Sequence, residues 1–337
     1  MVATAQPAAS ADQARPAIAV RDLRKAYGRT QAVDGLSMAV APGSIYGFIG
    51  PNGAGKTTTM RVLSTLLTPD TGTAELVGYD VLAHPAEVRA AIGYMPDFFG
   101  AYDNLTVSEY LDFYGAAYGV PAARRRHIIP ELLELVDLAP KRHDLVEGLS
   151  RGMKQRLGLA RCLVHDPRVL LLDEPASGMD PRARVEMREI VKELQRMGKT
   201  ILISSHILME LAEMCTHIGI VNAGRVVAEG PVGVVLRSLT HGRVVLVTLL
   251  PGADPQAALA VARDHRAVTS VTVAEQPPGG ADGAGPALEV ELEGDEAAMG
   301  DLLRALVEAR APVIGYAPLT SNLEEVFMRV TAAPGGP

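Results

Sequence analysis

Residues 50–58, GPNGAGKTT, place one lysine behind a run of small residues, a pattern that suits the binding of a phosphate chain. Gly50, Gly55, Lys56 and Thr57 fit the spacing G-x-x-x-x-G-K-[ST] between a strand-like run, SIYGFIG, and a helical pattern. Backbone N–H groups then converge on an anion at a helix N-terminus. We expect Lys56 to reach the β- and γ-phosphates and Thr57 to hold magnesium. The predicted nucleotide contacts in this loop are Gly50, Pro51, Asn52, Gly53, Ala54, Gly55, Lys56, Thr57 and Thr58.

Two adjacent acidic residues follow a second apolar run, VLLLDEP. Asp173 comes at the carboxyl end of this predicted strand, where α/β sheets place their ligands, and is expected to hold the magnesium. Glu174 then faces the γ-phosphate as a base or orienter of the attacking water. The alternative is an acidic pair that only solvates a strand end.

Further motifs resemble those of one ATPase family. They are Tyr27, the run LSRGMKQRLGLAR at 149–161, ASGMD after Glu174, and ISSH ending in His206. Together with the phosphate loop they are similar to the motif set of ABC-type ATPases, and the resemblance covers about residues 17–232. It implies ATP and Mg²⁺ as ligands, and a head-to-tail dimer in which each ATP lies between the phosphate loop of one copy and LSRGM of the other.

The resemblance also implies a role for each motif residue. Tyr27 stacks on adenine, unless it is a strand-edge aromatic packed on the sheet. His206 contacts the γ-phosphate, although a solitary histidine at a strand end is more often a packing or solvent contact. Asp180 ties the two copies together. Ser150 and Gly152 contact the opposing γ-phosphate, and Ser150 also suits an ordinary helix N-cap. The predicted ATP-binding residues of this loop are Ser150, Arg151, Gly152 and Met153.

The sequence departs from the family pattern at three positions. Asp97 stands where glutamine is usual. Because its carboxylate offers an oxygen to magnesium or water, the predicted metal-binding residues are Thr57, Asp97 and Asp173. The same carboxylate adds negative charge beside the phosphates. Arg151 replaces a glycine and Met153 a glutamine in LSRGM. Arg151 either adds favourable charge near a γ-phosphate or points to solvent. We expect the site to remain active because Ser150, Gly152 and Glu174 are present.

Eight of the 14 aromatic residues fall within positions 94–118. In the family this region forms a groove for a short helix of the membrane permease, and exposed aromatic anchors suit such a socket. We assign Phe98, Phe99 and Tyr102 to this coupling surface. Another four aromatic residues fit either the socket or the core of a helical subdomain: Tyr110, Phe113, Tyr114 and Tyr118.

The order of elements predicts an α/β fold with two domains. Residues 1–16 are expected to form a disordered tail, 17–235 a P-loop ABC ATPase domain with a helical subdomain at about 98–150, and 236–337 a small α+β domain. The latter has a ferredoxin-like βαββαβ order, followed by a helix in NLEEVFMRV. This appendage is similar to the C-terminal extension in ATPases of drug and antibiotic exporters of the daunorubicin-resistance type.

The composition of the chain restricts the classes of partner that we expect. The net charge is -7, and the only short basic tract is ARRRH, so nucleic acid is not expected as a partner. No apolar run reaches the roughly 18–20 residues of a membrane span. The resemblance to ABC-type ATPases then implies, as partners, a separately encoded multi-span permease and a second copy or a paralogous ATPase, at the cytoplasmic face of the membrane.

The leading hypothesis is the ATP-hydrolysing subunit of an ABC exporter. One alternative is an ATP-binding regulatory module with weak hydrolysis, given Asp97, Arg151 and Met153. Another is a soluble ABC ATPase outside transport; such proteins generally carry two ATPase units or a long coiled-coil insert, and neither pattern is present in this sequence.

Overall fold

The computed structural model describes residues 15–98, 100, 104–239, 243–274, 285–294 and 296–319. They divide into two compact units, the first ending at Val232 and the second beginning at Gly233. Three sequence predictions lie outside the described residues: most of the expected tail (1–14), the aromatics Phe99 and Tyr102, and the helix expected in NLEEVFMRV. No helix in the described ranges has the length and apolar character needed to cross a membrane.

The first unit alternates strands and helices. Its strands are β1 (Ile18–Tyr27), β2 (Thr30–Val40), β3 (Ile45–Ile49), β4 (Thr71–Leu76), β5 (Tyr79–Asp80), β6 (Ile92–Met95), β7 (Val169–Asp173), β8 (Thr200–Ser205), β9 (His217–Asn222) and β10 (Arg225–Pro231). Its helices are α1 (Lys56–Leu63), α2 (Pro85–Ala91), α3 (Val107–Ala117), α4 (Ala122–Leu135), α5 (Arg151–Leu163), α6 (Pro181–Arg196) and α7 (Leu208–Ala212). A further helix, α8 (Val232–Leu239), follows β10, and all of it except Val232 belongs to the second unit.

A six-stranded sheet forms the centre of this unit, with the order β10-β9-β3-β8-β7-β6. Strands β9, β3, β8, β7 and β6 are parallel, and β10 pairs antiparallel with β9. Every residue of β3, β7 and β8 is buried, as expected for apolar runs covered on both faces. The register pairs Ile49 with Ser205 and Asp173 with Ser204, so these three strands end at one edge.

Smaller elements flank the central sheet. An antiparallel sheet has the order β2-β1-β4-β5. Between β6 and α5 the chain is largely helical, with α3, α4 and two 3-10 turns at Ala139–Lys141 and Val146–Gly148. Helix α3 begins with a capping box: the Thr106 hydroxyl accepts from the N–H of Glu109, and the Glu109 carboxylate accepts from the N–H of Thr106.

The second unit is an antiparallel sheet with two helices. Its elements are β11 (Arg243–Leu249), α9 (Gln256–Asp264), β12 (Val268–Ala274), β13 (Ala287–Leu292), α10 (Glu296–Glu308) and β14 (Val313–Leu319). The strand order β12-β13-β11-β14 confirms the predicted ferredoxin-like βαββαβ arrangement. Alternate residues of β11 and β13 form a core with apolar residues of both helices.

The four aromatic residues that fit either the socket or the core on sequence grounds differ in how far they are buried. Tyr110 is fully buried, and Tyr114 is half-buried with its ring centroid 4.9 Å from that of Tyr110. Phe113 and Tyr118 are exposed. Tyr110 therefore belongs to the core of the helical segment, whereas Phe113 and Tyr118 keep a face open to solvent.

Candidate functional site

A cavity of about 610 Å³ opens where β3, β7 and β8 end. Its size falls within the roughly 300–1,000 Å³ of small-molecule sites. The residues that line it are Tyr27, Thr30, Ala32, Asn52, Gly53, Ala54, Gly55, Lys56, Thr57, Thr58, Asp97, Arg151, Glu174, Ser177 and His206. The fold thus brings most predicted site residues to one place, although they are spread over 180 positions of sequence.

The phosphate loop owes its shape to glycines. Gly55 has φ 102°, and a Cβ built on it would lie 2.4 Å from the carbonyl oxygen of Ala32, so no other residue fits. Gly53 has φ 82° and nothing within 4 Å of a built Cβ, which leaves its backbone open to the cavity. Helix α1 begins directly after Gly55, so its unpaired N-terminal N–H groups belong to the cavity wall.

Lys56 is folded back over this loop. Its Nζ donates to the carbonyl oxygens of Gly50, at 2.7 Å, and Pro51, at 3.2 Å. Burial lowers the pKa of its ammonium group, and the carboxylates of Glu174 and Asp173 act in the opposite direction. The Lys56 side chain is only 6% exposed, and it lies in a loop whose backbone N–H groups can surround an anion. Lys56 is therefore suited to bind phosphate.

Asp173 lies fully buried at the end of β7. Its Oδ1 accepts from the Ser204 hydroxyl at 2.6 Å, whereas Oδ2 is buried without a hydrogen-bond partner among the described residues. Burial raises the pKa of this carboxyl, opposed by the neighbouring hydroxyls of Ser204 and Thr57. An unsatisfied buried carboxylate oxygen beside a threonine hydroxyl fits a cation such as Mg²⁺.

Glu174 holds an unusual backbone conformation. Its φ of 49° falls in the left-handed region, which is rare for glutamate and is often found at functional sites. Its N–H donates to the Ser204 hydroxyl at 3.0 Å. Ser204 therefore bridges the two acidic residues, accepting from the backbone of one and donating to the side chain of the other.

The Glu174 side chain lies between two of the predicted phosphate ligands. His206 Nδ1 is 2.9 Å from Oε2, and Lys56 Nζ is 3.6 Å from Oε1. Because a carboxylate only accepts hydrogen bonds, Nδ1 of His206 carries the proton in this pair. The arrangement gives a carboxylate at the cavity that can accept a proton from water, flanked by two donors.

Two of the remaining predicted site residues line the cavity, and two do not. Tyr27 lines it with 47% of its surface exposed, so its ring is available for stacking. Asp97 is exposed at its rim. Asp180 caps α6, accepting from the N–H of Ala183 at 2.9 Å. Phe98 is 75% exposed, one position after Asp97.

The residues of LSRGM do not behave as one group. Ser150 caps α5 and accepts from the N–H of Met153 at 3.3 Å. Neither of these residues lines the cavity, nor does Gly152. Arg151, however, reaches the cavity of its own chain.

Sequence reasoning missed four residues: Thr30, Ala32 and Ser177 of the lining, and Ser204. Thr30 and Ser177 lie within three residues of predicted site residues, so proximity in sequence was the available signal. Ser204 precedes His206 by two positions, but its contact with Asp173 depends on the pairing of β7 with β8.

Comparisons with known proteins find relatives of this chain in sequence and in fold. A sequence-family model with the description ABC transporter matches residues 33–177. The Daunorubicin resistance ATP-binding protein DrrA3 of Streptomyces coeruleorubidus is 38% identical over 315 residues, covering 94% of this chain and 96% of the relative. The Nod factor export ATP-binding protein I of Ralstonia nicotianae is 41% identical over 225 residues, covering 67% of this chain and 70% of the relative.

A solved structure, described as an ATP binding subunit of an ABC transporter, matches with a TM-score of 0.60 and 30% identity. The match covers 66% of this chain and 92% of the solved one. The fold of the matched part of this chain thus has a counterpart in a solved ATP-binding subunit.

Proposed function

Since this chain belongs to the ABC transporter family as an ATP-binding and ATP-hydrolysing subunit, we propose that it drives a separate membrane permease that exports a drug-like, antibiotic or lipid-like compound. The observation that carries this proposal is the match to a daunorubicin resistance protein along 94% of the chain, including the second unit. A relative named for Nod factor export supports the direction of transport.

In the proposed reaction, different residues of the cavity bind the adenine, bind the phosphates and assist hydrolysis of ATP. Tyr27 stacks on the adenine, and the backbone N–H groups of residues 50–58 with Lys56 bind the phosphates. Glu174 accepts a proton from the water that attacks the terminal phosphate. His206, whose Nδ1–H donates to the Glu174 carboxylate in this structure, donates instead to the terminal phosphate when ATP is bound.

Magnesium is the proposed metal. Asp173 Oδ2, buried without a partner among the described residues, and the Thr57 hydroxyl would hold it, with Asp97 contributing an oxygen at the rim. The ion neutralises phosphate charge when bound. No group of three or more His, Cys, Asp or Glu side chains that could hold a metal occurs in the described ranges, and Mg²⁺ commonly uses one or two carboxylates together with substrate phosphates.

We further propose that two copies close head to tail around two ATP molecules. Ser150, Gly152 and Met153 do not line the cavity of their own chain and begin α5, whose N-terminus favours an anion. This supports their placement at the ATP of the second copy. Asp180, exposed at the start of α6, would contact that copy.

The exposed aromatic side chains after β6 support a permease contact. Phe98, with 75% of its surface exposed, and Phe113 offer apolar anchors for a short permease helix. The chain would then work at the cytoplasmic face of the membrane, where closure of the dimer on ATP pulls on the permease and hydrolysis releases it.

Affinity capture tests this proposal. The tagged chain is recovered from detergent-solubilised membranes of its native cell, and the co-purifying chains are identified by mass spectrometry. We expect a multi-span protein in stoichiometric amount. Phe98→Ala should reduce its recovery at least about fivefold, because an anchor in an interface centre commonly contributes over 1 kcal/mol.

The matched control for that variant is Leu66→Ala, which removes another apolar side chain of similar exposure, at 65%, outside the proposed contact. It should leave recovery unchanged. Capture of soluble partners alone, or of no partner, would contradict the transporter role, and equal losses in both variants would contradict the assignment of Phe98.

A further inference from the structure

A second cavity, of about 390 Å³, lies in the first unit at the edge of the central sheet where β7 and β8 begin. Val169 and Thr200, the first residues of these strands, line it. Both strands end at the nucleotide cavity, so the two cavities lie at opposite edges of the sheet. Its volume falls in the lower part of the range of roughly 300–1,000 Å³ that is usual for small-molecule sites.

Hydrogen bonds between segments far apart in sequence hold the wall of this cavity. The N–H of Gly43 donates to Oγ1 of Thr200 at 2.9 Å, and the N–H of Thr200 donates to the carbonyl oxygen of Arg168 at 3.1 Å. The N–H of Val77 donates to the carbonyl oxygen of Ala17 at 2.8 Å. The cavity is therefore formed by the fold itself, as is usual for ligand sites.

The charged residues that line this cavity are cations. They are Arg15, Arg168 and Lys199, and none of the described residues in the lining is acidic. Two of the three cations are paired with carboxylates that lie outside the lining: Nη2 of Arg15 is 2.9 Å from Oε2 of Glu75, and Lys199 pairs with Asp166. Two carboxylates thus balance two cations, and one positive charge is left at the cavity.

Among the residues that the structure describes, Arg168 is the lining cation without a carboxylate partner. It is exposed, so its guanidinium can be reached by a ligand. Asp166 also lies 3.9 Å from Arg124, which lies outside the cavity and adds to the positive excess. Because a guanidinium can bind an oxyanion through two parallel hydrogen bonds, Arg168 suits a ligand that carries one negative charge.

The remaining surface of the cavity is largely apolar. Its apolar residues are Pro16, Ala17, Pro42, Val77, Val169 and Met197. Met197 is 58% exposed. An apolar chain placed against Met197 would remove this surface from water, and the flexible methionine side chain adapts to ligands of varied shape. An inorganic anion would leave the same surface in contact with water.

We propose that this cavity binds a small amphipathic monoanion, in which an oxyanion is joined to a short apolar chain. The oxyanion lies on Arg168, and the chain lies against Val77, Val169 and Met197. The carboxylate of a short fatty acid is the simplest ligand of this class. This site goes beyond the function proposed above and does not depend on it, because it shares no residue with the nucleotide cavity.

NMR of the full chain with 13C-labelled methionine methyl groups tests this site, with hexanoate as the probe. Met197→Leu identifies the Met197 signal among the 12 methionines. We expect hexanoate to shift this signal saturably. Hexanol, which has the chain without the charge, should bind about tenfold more weakly because the charge-assisted hydrogen bond is absent. Acetate, which has the charge without the chain, should not saturate the signal.

Arg168→Gln should weaken hexanoate binding about tenfold and leave hexanol binding within twofold, so that the preference for the anion is lost. Arg168→Lys keeps the positive charge and should retain most of that preference. Arg126→Gln is the matched control, because it removes an exposed arginine of α4 that lies outside the cavity. It should bind both probes as wild type does. Thermal melts check that each variant is folded.

Three outcomes would each overturn the inference. The first is a Met197 signal that hexanoate does not shift saturably. The second is equal affinity of the wild-type chain for hexanoate and hexanol, which would mean that the charge of the ligand is not recognised. The third is equal hexanoate affinity in Arg168→Gln and Arg126→Gln, which would remove Arg168 from the site.

Discussion

Nδ1 of His206 lies 2.9 Å from Oε2 of Glu174, and the other oxygen of this carboxylate is 3.6 Å from Nζ of Lys56. Two groups assigned to the phosphates therefore face the proposed base instead. An incoming terminal phosphate competes with Glu174 for both donors. Nucleotide binding and the position of this carboxylate are thus coupled.

Glu174→Gln should abolish hydrolysis while retaining ATP. The amide is nearly isosteric but cannot accept the water proton, so we expect phosphate release to fall at least about 100-fold. Removing the negative charge also frees Lys56 and His206 for the phosphates, so gel filtration in ATP should show a stable dimer. Lys56→Ala is the control and should remain monomeric in ATP. A wild type that hydrolyses ATP no faster than Glu174→Gln would contradict the role of Glu174.

Ser204→Ala should lower turnover more than binding. The Ser204 hydroxyl donates to Asp173 at 2.6 Å and accepts from the N–H of Glu174 at 3.0 Å. Its loss leaves both groups partly unsatisfied and releases the strained backbone of Glu174, so we expect kcat to fall about tenfold with the Kd for ATP within twofold.

Ser205→Ala is the matched control for that variant, because its hydroxyl accepts from the N–H of Ile207 and bonds neither Asp173 nor Glu174. Steady-state kinetics and calorimetry on both variants, with melting temperatures, test the prediction. Equal kcat values for the two variants would show that Ser204 does not position the acids.

The sequence and the structure agree best where the chemistry is continuous in the chain. The phosphate loop and the pair Asp173 and Glu174 could be predicted because each motif follows one buried strand. The bridge from Ser204 could not, because it depends on which strands are neighbours and on their register, and no local pattern specifies that. The position of Arg151 depends likewise on the packing of α5 against the loop at Gly178.

The aromatic residues of α3 show a second limit. Tyr110 and Phe113 are three positions apart and similar in character, yet one is fully buried and the other exposed. Which face of the helix meets α4 and α5 is decided by tertiary packing, so the sequence left both the core and a partner surface open.

Asp97→Asn should strengthen the binding of metal-free ATP. Asp97 lines the cavity rim, where its carboxylate repels the phosphates. Calorimetry in EDTA should show a two- to fivefold lower Kd at low salt, the gain disappearing at about 0.5 M salt because this exposed charge is screened. The magnesium concentration that gives half-maximal hydrolysis should rise, since an oxygen ligand is weakened.

Glu87→Gln on α2 removes one negative charge from an exposed position outside the cavity and is the control for net charge. If both variants bind metal-free ATP equally well, the repulsion does not come from the rim. An unchanged magnesium requirement in Asp97→Asn would remove Asp97 from the metal set.

His165 should make the first unit less stable in mild acid. Its ring stacks on Tyr118 with centroids 3.9 Å apart, Nε2 donates to the carbonyl oxygen of Ile92, and Nδ1 is buried without a partner among the described residues. Burial lowers the pKa of this imidazole; the smaller effects of Ile92 and Asp166 raise it and that of Lys199 lowers it. As the pH falls below about 6.5, the unfolded chain therefore takes up a proton that the folded chain resists, and the free energy of unfolding decreases.

Denaturant titrations at pH 7.5 and 5.5 should show a smaller loss of stability in His165→Gln than in wild type. His127→Gln, which removes an exposed imidazole on α4, is the control and should lose as much stability as wild type; an equal loss in all three proteins would exclude His165 as the source.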